Sequence, residues 1–162
     1  MSDDFDQGLI EEPYALQAHL GYQMTGWRQD WAQVELPLGP HLMNRYGLPH
    51  GGIHATLLDT VMGYAGCYTG DAQQKRFVMT LSLTTQFLSR PKGKVLIAEG
   101  WKTGGGKSTM FAEGVVRDET GEKIATGTAV FRYRRGAAPS WPMGQFTPEV
   151  FAKQRWAMCR VR

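Results

Sequence analysis

Asn44-Arg45-Tyr46-Gly47-Leu48-Pro49-His50-Gly51-Gly52, running without a break into Ile53-His54-Ala55-Thr56-Leu57-Leu58-Asp59, is the stretch that decides the fold and the chemistry of this chain. A polar turn with Gly47 and Pro49 leads to a glycine pair, and an apolar-periodic segment from Gly52 to about Cys67 follows, which predicts a helix. At ~100° per residue, Ile53, Leu57, Leu58, Val61, Met62 and Ala65 fill one broad arc of that helix. Asp59 falls on the opposite side, among Ala55, Thr56, Gly63 and Gly66. A carboxylate opposite an apolar stripe is ordinarily a solvated surface group. Gly63 and Gly66 point elsewhere, because a glycine in a helix interior costs about 1 kcal/mol relative to alanine and answers to a packing or functional need.

At the helix start, the amides of Gly51 and Gly52 have no acceptor one turn back, and the positive end of the helix dipole lies behind them. With no Cβ in the way, they form a site for a developing oxyanion. His50 sits at this turn, whereas His54 falls in the apolar arc as a core or capping histidine. The two do not converge with Asp59 on a metal, and no metal is expected. Gly51 and Asp59 are eight residues apart, which is about 12 Å along a helix axis. One chain therefore cannot bring both to the same carbonyl. If they serve one reaction, each site takes its Asp59 from a second copy, with two helices running antiparallel and the small face around Asp59 against the partner. A homodimer with two composite sites is expected.

Outward from this stretch, Pro13 to Leu20 reads as a short helix closed by Gly21, and Tyr22 to Trp27 and Trp31 to Leu38 read as strands. After the helix, Phe77, Met79, Leu81, Leu83, Thr85 and Phe87 alternate with Val78, Thr80, Ser82, Thr84 and Gln86, giving one oily and one hydroxyl-rich strand face. Further strands are expected at Val95 to Thr103, Ser108 to Asp118 and Lys123 to Tyr133. Their links are Arg90-Pro91-Lys92-Gly93, Gly104-Gly105-Gly106 and Glu119-Thr120-Gly121-Glu122. Links this short predict an antiparallel meander, its apolar face covered by the helix. Gly106-Lys107-Ser108 imitates the end of a phosphate loop, but the spacing is wrong and a strand follows.

The 162 residues, 42% hydrophobic and 20% charged, fit one globular domain. The formal charge of +3 is uneven: from Arg132 onward seven basic residues face Glu149 alone. Trp141, Phe146, Phe151 and Trp156 are interleaved with prolines in that tail, which favours a packed or solvated extension over a nucleic-acid surface. Cys67 and Cys159 form no CxxC or zinc spacing, so free thiols are expected. The acidic start, Met1 to Asp6, lacks the order of a secretion signal, and no apolar run approaches the ~20 residues of a membrane span. A cytoplasmic protein with no membrane and no nucleic-acid partner is the expectation.

The run from Asn44 to Gly66, with its His-Gly-Gly, its Leu58-Asp59-Thr60 and its Gly63-Tyr64-Ala65, resembles the hotdog-fold acyl-CoA thioesterases, in particular the phenylacetate-pathway (PaaI-like) branch. The resemblance implies an α+β hotdog fold over residues 20–133, an antiparallel β-sheet wrapped around one long central α-helix. It leaves residues 1–19 as an N-terminal extension and 134–162 as a basic, aromatic C-terminal one. It implies an enzyme that hydrolyses an aromatic or short- to medium-chain acyl-CoA to free acid and CoA, with no cofactor beyond the coenzyme A of the substrate. Assembly would be a homodimer or a dimer of dimers. By position, Asp59 would be the general base or nucleophile and Gly51 the amide donor to the thioester oxygen. His50 would assist at that oxygen, Asn44 would place water or thioester from the facing subunit, and Thr80 would be the hydroxyl bonded near the acid. Gly106, Lys107 and Ser108 stand where many members have Gly-Arg meeting a coenzyme A phosphate; a lysine there offers a point charge, not a fork. Gly52 would line the oxyanion site. Apart from the resemblance, Met62, with Met24, Met43, Tyr46 and Tyr64, is a candidate for an acyl pocket, though methionine and aromatic residues in such positions are more often plain core. The alternatives are a non-catalytic acyl-CoA binding or regulatory module on the same fold, against which Asp59 argues, and a dehydratase, whose Asp-x4-His pattern is absent.

Overall fold

The computed structural model describes residues 7–134. The acidic N-terminal hexapeptide, Cys159 and the aromatic tail beyond Arg134 lie outside the described residues. After a single helical turn at Gln7–Leu9 come α1 (Ala15–Leu20), β1 (Gln23–Arg28), β2 (Trp31–Pro37), another turn at Pro40–Leu42, α2 (Gly51–Ala65), β3 (Val78–Phe87), β4 (Val95–Gly105), β5 (Thr109–Asp118) and β6 (Lys123–Tyr133). Gly21, in the left-handed region at φ 87°, closes α1. The six strands form one sheet in the order β1-β2-β4-β5-β6-β3, every pair antiparallel.

That order keeps β4, β5 and β6 as the expected antiparallel meander and corrects the place of β3. The link after β3 does not turn back as a hairpin, because β3 pairs with β6 at the far edge while β4 pairs with β2 and β5. Leu88 and Ser89 still donate to the Ile124 carbonyl; the chain then passes the β5–β6 turn and enters β4. The crossing spans three strand spacings, about 14 Å, within reach of seven extended residues. Acceptors of the turn pin it. Asp118 Oδ2 takes the amides of Lys92 (2.7 Å) and Gly93 (2.9 Å), and the Glu119 carboxylate takes those of Lys94 (2.6 Å) and Val95 (2.8 Å). Asp118 Oδ1 meanwhile accepts from Thr120 and Glu122 within its own turn. Burial opposes ionisation of Asp118, yet these hydrogen bonds outweigh it and hold the carboxyl well below the usual carboxylate range.

α2 lies against the concave face of the sheet. Leu57, Leu58, Val61 and Met62 are fully buried there with Val34, Leu36, Leu96, Met110, Val116, Ile124 and Phe131, and burying each such side chain contributes ~1.5–3 kcal/mol. The close seating has a specific cause. Gly100, Gly114 and Gly127 are direct neighbours across β4, β5 and β6. A Cβ on Gly100 would stand 2.6 Å from the Val61 carbonyl carbon, and one on Gly114 or Gly127 would press on Leu58 at 3.0 and 3.2 Å. This row of bare backbone is the groove in which the helix rests.

Two expectations about faces change. The alternation along β3 is interrupted, since Thr80 pairs with Phe131 and Ser82 with Val130, which leaves Leu81 as an extra residue in a β-bulge. Val78 and Thr80 therefore face the helix side before the bulge and Leu83 after it, so the supposed oily face does not line the core: Met79 and Leu81 are 48% and 52% exposed. The glycines beside Asp59 are not left open for a partner helix either. Gly63 lines a cavity opposite Phe131 and Val78, and a Cβ on Gly66 would collide with Met110 Sδ at 1.8 Å, so the Gly66 end of this small face packs on its own sheet.

Candidate active site

The N-terminus of α2 is built by the polar turn. Asn44 Oδ1 accepts the amides of Tyr46 (2.8 Å) and Leu48 (3.2 Å), Gly47 takes the left-handed conformation at φ 73°, and His50 N–H donates to the Leu42 carbonyl. The Asn44 carbonyl oxygen is thus committed to shaping its loop. His50 is the N-cap, with Nδ1 accepting the Gly52 amide at 2.9 Å. This corrects the expectation for Gly52, whose N–H is already taken. It also fixes the neutral His50 ring as the Nε2–H tautomer, a donor directed away from the cap. The amide of Gly51, first in the helix, has no acceptor among the described residues. Phe87 closes on it so tightly that a Cβ on Gly51 would sit 3.3 Å from the ring. Sequence reasoning passed over Phe87, taking it as the end of an oily stripe. Behind this end His54 is 5% exposed, with Nδ1 unpartnered; burial, then the neighbouring His50, lowers its pKa.

Asp59 belongs to a second cluster. Thr80 Oγ1 donates to Asp59 Oδ1 at 2.8 Å, so the start of β3 holds one carboxylate oxygen and leaves Oδ2 without a partner among the described residues. Both residues line a cavity of about 540 Å³ walled by Thr60, Gly63, Tyr64, Phe131 and the segment after α2. Tyr64 and Trp27 meet edge to face at 5.2 Å on its wall.

The structure brings Asp59 to Thr80, and His50 to Gly51 and Gly52, but within one chain it does not bring these two groups together: Gly51, His50 and Asn44 are absent from the cavity that holds Asp59. Gly106, Lys107 and Ser108 form the exposed tip of the β4–β5 hairpin, with Gly106 donating to Thr109 and Ser108 accepting from Tyr133. Met62 is corrected outright. It is 0% exposed between α2 and the sheet and cannot touch a ligand, and of the aromatic and methionine candidates for an acyl pocket Tyr64 lines the cavity. Among the described residues no group of three or more His, Cys, Asp and Glu is placed to hold a metal, and no helix is long and apolar enough to cross a membrane.

Comparison with known proteins agrees with this architecture. Residues 46–125 match the family model described as the thioesterase superfamily. A Bacillus halodurans protein solved with CoA is 30% identical, with a TM-score of 0.65, over 77% of this chain and 82% of its own. The PaaI protein from the Escherichia coli phenylacetic acid degradation operon shares the fold at 20% identity and a TM-score of 0.67, over 76% of this chain and 87% of its own. A Haemophilus influenzae protein described as "Putative esterase" is 31% identical over 49 residues, 30% of this chain, and the match spans about a third (36%) of that relative. With a six-stranded antiparallel sheet seated on one long helix, and the His-Gly-Gly helix start and Asp59 inside the matched region, the chain belongs to the hotdog-fold thioesterase superfamily.

Proposed function

We propose that this protein hydrolyses acyl-CoA thioesters with aromatic or short- to medium-chain acyl groups, at two equivalent sites of a cytoplasmic homodimer that can pair further into a dimer of dimers. The observation that carries this is the division of labour along α2: a carboxylate with one free oxygen faces a cavity, and an unpaired glycine amide with a neighbouring imidazole N–H stands at the opposite end. Each half lacks what the other supplies. Antiparallel apposition of two copies joins them, and β3 offers the means, since its outer edge has no strand partner among the described residues and carries the exposed Leu81 and Phe87.

In such a site the thioester oxygen lies against the Gly51 amide and His50 Nε2–H of one chain, held by the turn that Asn44 shapes. Asp59 of the other chain, steadied by Thr80, uses its free oxygen in one of two ways. It takes a proton from a water that attacks the carbonyl carbon, or it attacks that carbon itself and water opens the resulting anhydride. Either way charge collects on the oxygen facing Gly51 and disperses as the C–S bond breaks, leaving the acid and CoA thiolate. Lys107, at the exposed hairpin tip, is free to meet a nucleotide phosphate of the CoA.

Release of free thiol from a panel of aryl- and alkyl-acyl-CoAs tests this. The parent should turn over at least one class, and Asp59→Asn should lower kcat by about 10²–10⁴-fold. Thiol release that is undiminished in Asp59→Asn removes the mechanism. CoA binding without turnover by the parent would leave a binding module instead.

A further inference from the structure

The cavity extends beyond the carboxylate. Its floor is the face of α2 and its exit turn on which Asp59, Gly63 and Cys67 follow one another at one-turn spacing, so it runs about 12 Å toward the C-terminal end of the helix. The wall at that end belongs neither to the sheet nor to α2. It is shared by the chain leaving α2, from Thr69 to Arg76, and the segment before α1: Gly8, Leu9, Ile10, Glu11 and Tyr14. Two ties hold this segment in place. The Glu11 carboxylate meets Lys75 Nζ at 2.7 Å on the chain leaving the helix, and the Tyr14 hydroxyl bonds that of Tyr22, which reaches Thr60 Oγ1 at 3.5 Å. Glu11 stands at the far end of the cavity: after burial, which is the main cause and pushes the Cys67 thiol up to about 12, its charge further raises both Cys67 and Tyr64. Within the segment Leu9 is half-buried, while Ile10 and Tyr14 are 38% and 40% exposed. An exposed ion pair is a weak tie, so the clasp positions the segment more than it locks it.

We propose that residues 8–14 are a strap that closes the distal end of the acyl cavity and sets the longest acyl group it admits, with Leu9 meeting the acyl terminus. This rests on Asp59 marking the reacting end of the cavity. At ~1.2 Å per bond of extended chain, a 12 Å run admits about ten bonds beyond the carbonyl, a medium-chain limit. Nothing in the strap touches the carbonyl, so the strap governs length and not chemistry.

The test uses the full-length protein and S-alkyl-CoA thioethers of graded length, which bind without being hydrolysed, with affinities from calorimetry. Leu9→Trp should weaken the longest thioether that the parent binds by about tenfold or more and leave the short ones within about twofold. Leu9→Gly should extend binding to longer members. Glu11→Lys, which repels Lys75, should blur the length limit, and Glu11→Lys combined with Lys75→Glu should restore it. An unchanged length profile in both Leu9 variants overturns the strap, as does a parent that binds no thioether. Because the readout is binding, a parent that releases no thiol but shows the shifted profiles removes the hydrolytic mechanism and keeps the strap.

Discussion

At Asp59 one hydrogen bond fixes a carboxylate that faces a cavity. Thr80 occupies a single carboxylate oxygen and orients the group. A hydrogen bond to a charged group is worth ~1.5–3 kcal/mol. Thr80→Val should therefore lower kcat by about 10–100-fold with KM little changed, and Thr80→Ser should keep most of the rate; steady-state kinetics on one acyl-CoA decides it. The pairing of these residues was readable because the strand after the helix has a hydroxyl-bearing face and the resemblance singled out Thr80. Gly52 was misread because a histidine that caps its own helix is invisible until the turn is folded. Met62 was misread because methionine suits cores and pockets equally, and the glycine row that buries it comes from three strands remote in sequence.

Among the elements, the strand boundaries were legible to within a residue or two, since alternation and turn residues are local; β6 runs from Lys123 to Tyr133 as expected. Strand order was not legible, because a short linker looks the same whether it closes a hairpin or crosses the end of a sheet. Three substitutions, one of them a control, probe what replaces the expected arrangement. Gly100→Ala drives a methyl into the α2 backbone at Val61 and should cost about 1–3 kcal/mol in urea unfolding, while Gly104→Ala, with open space around it, should stay within about 0.5 kcal/mol. Asp118→Asn turns an amide toward the Lys92 and Gly93 N–H groups and should cost about 2–4 kcal/mol. Its pH signature has a definite sign. The folded carboxyl lies below its ordinary 3.8, so its stabilisation is present above that value and is lost as pH falls through the folded pKa. Unfolding midpoints measured from pH 6 down to pH 2 should fall less steeply for Asp118→Asn than for the parent.

For the whole molecule, separation of the half-sites predicts that inactive copies can repair one another. Gly51→Pro removes the amide donor at a helix position whose backbone suits proline, after a His50 already extended at ψ 136°, and its Cβ displaces the Phe87 ring by a few tenths of an ångström. Alone it should lose about 10²–10³ in kcat, as Asp59→Asn loses activity in its own right. Mixed and refolded together at equal amounts, the two should recover about a quarter of parental activity, since half the dimers are mixed and each holds one intact site. No recovery in a mixture shown by gel filtration to be dimeric would mean that the site lies within one chain. The strap could not have been foreseen, because residues 8–14 carry no motif and gain meaning only where the fold lays them.

Leu81 ties these scales together. Side chains along a strand form a wave of period two, and one unpaired residue delays that wave by half a cycle. Ahead of the delay the strand presents Thr80 to the acid of α2; behind it, it presents Phe87 to the glycine at the other end of the same helix. An unbroken strand could be in phase with only one of them. Deleting Leu81 would invert one half of β3, sending either Thr80 or the pair Leu83 and Phe87 to the outer surface, so a single inserted residue keeps both ends of α2 in step with one strand.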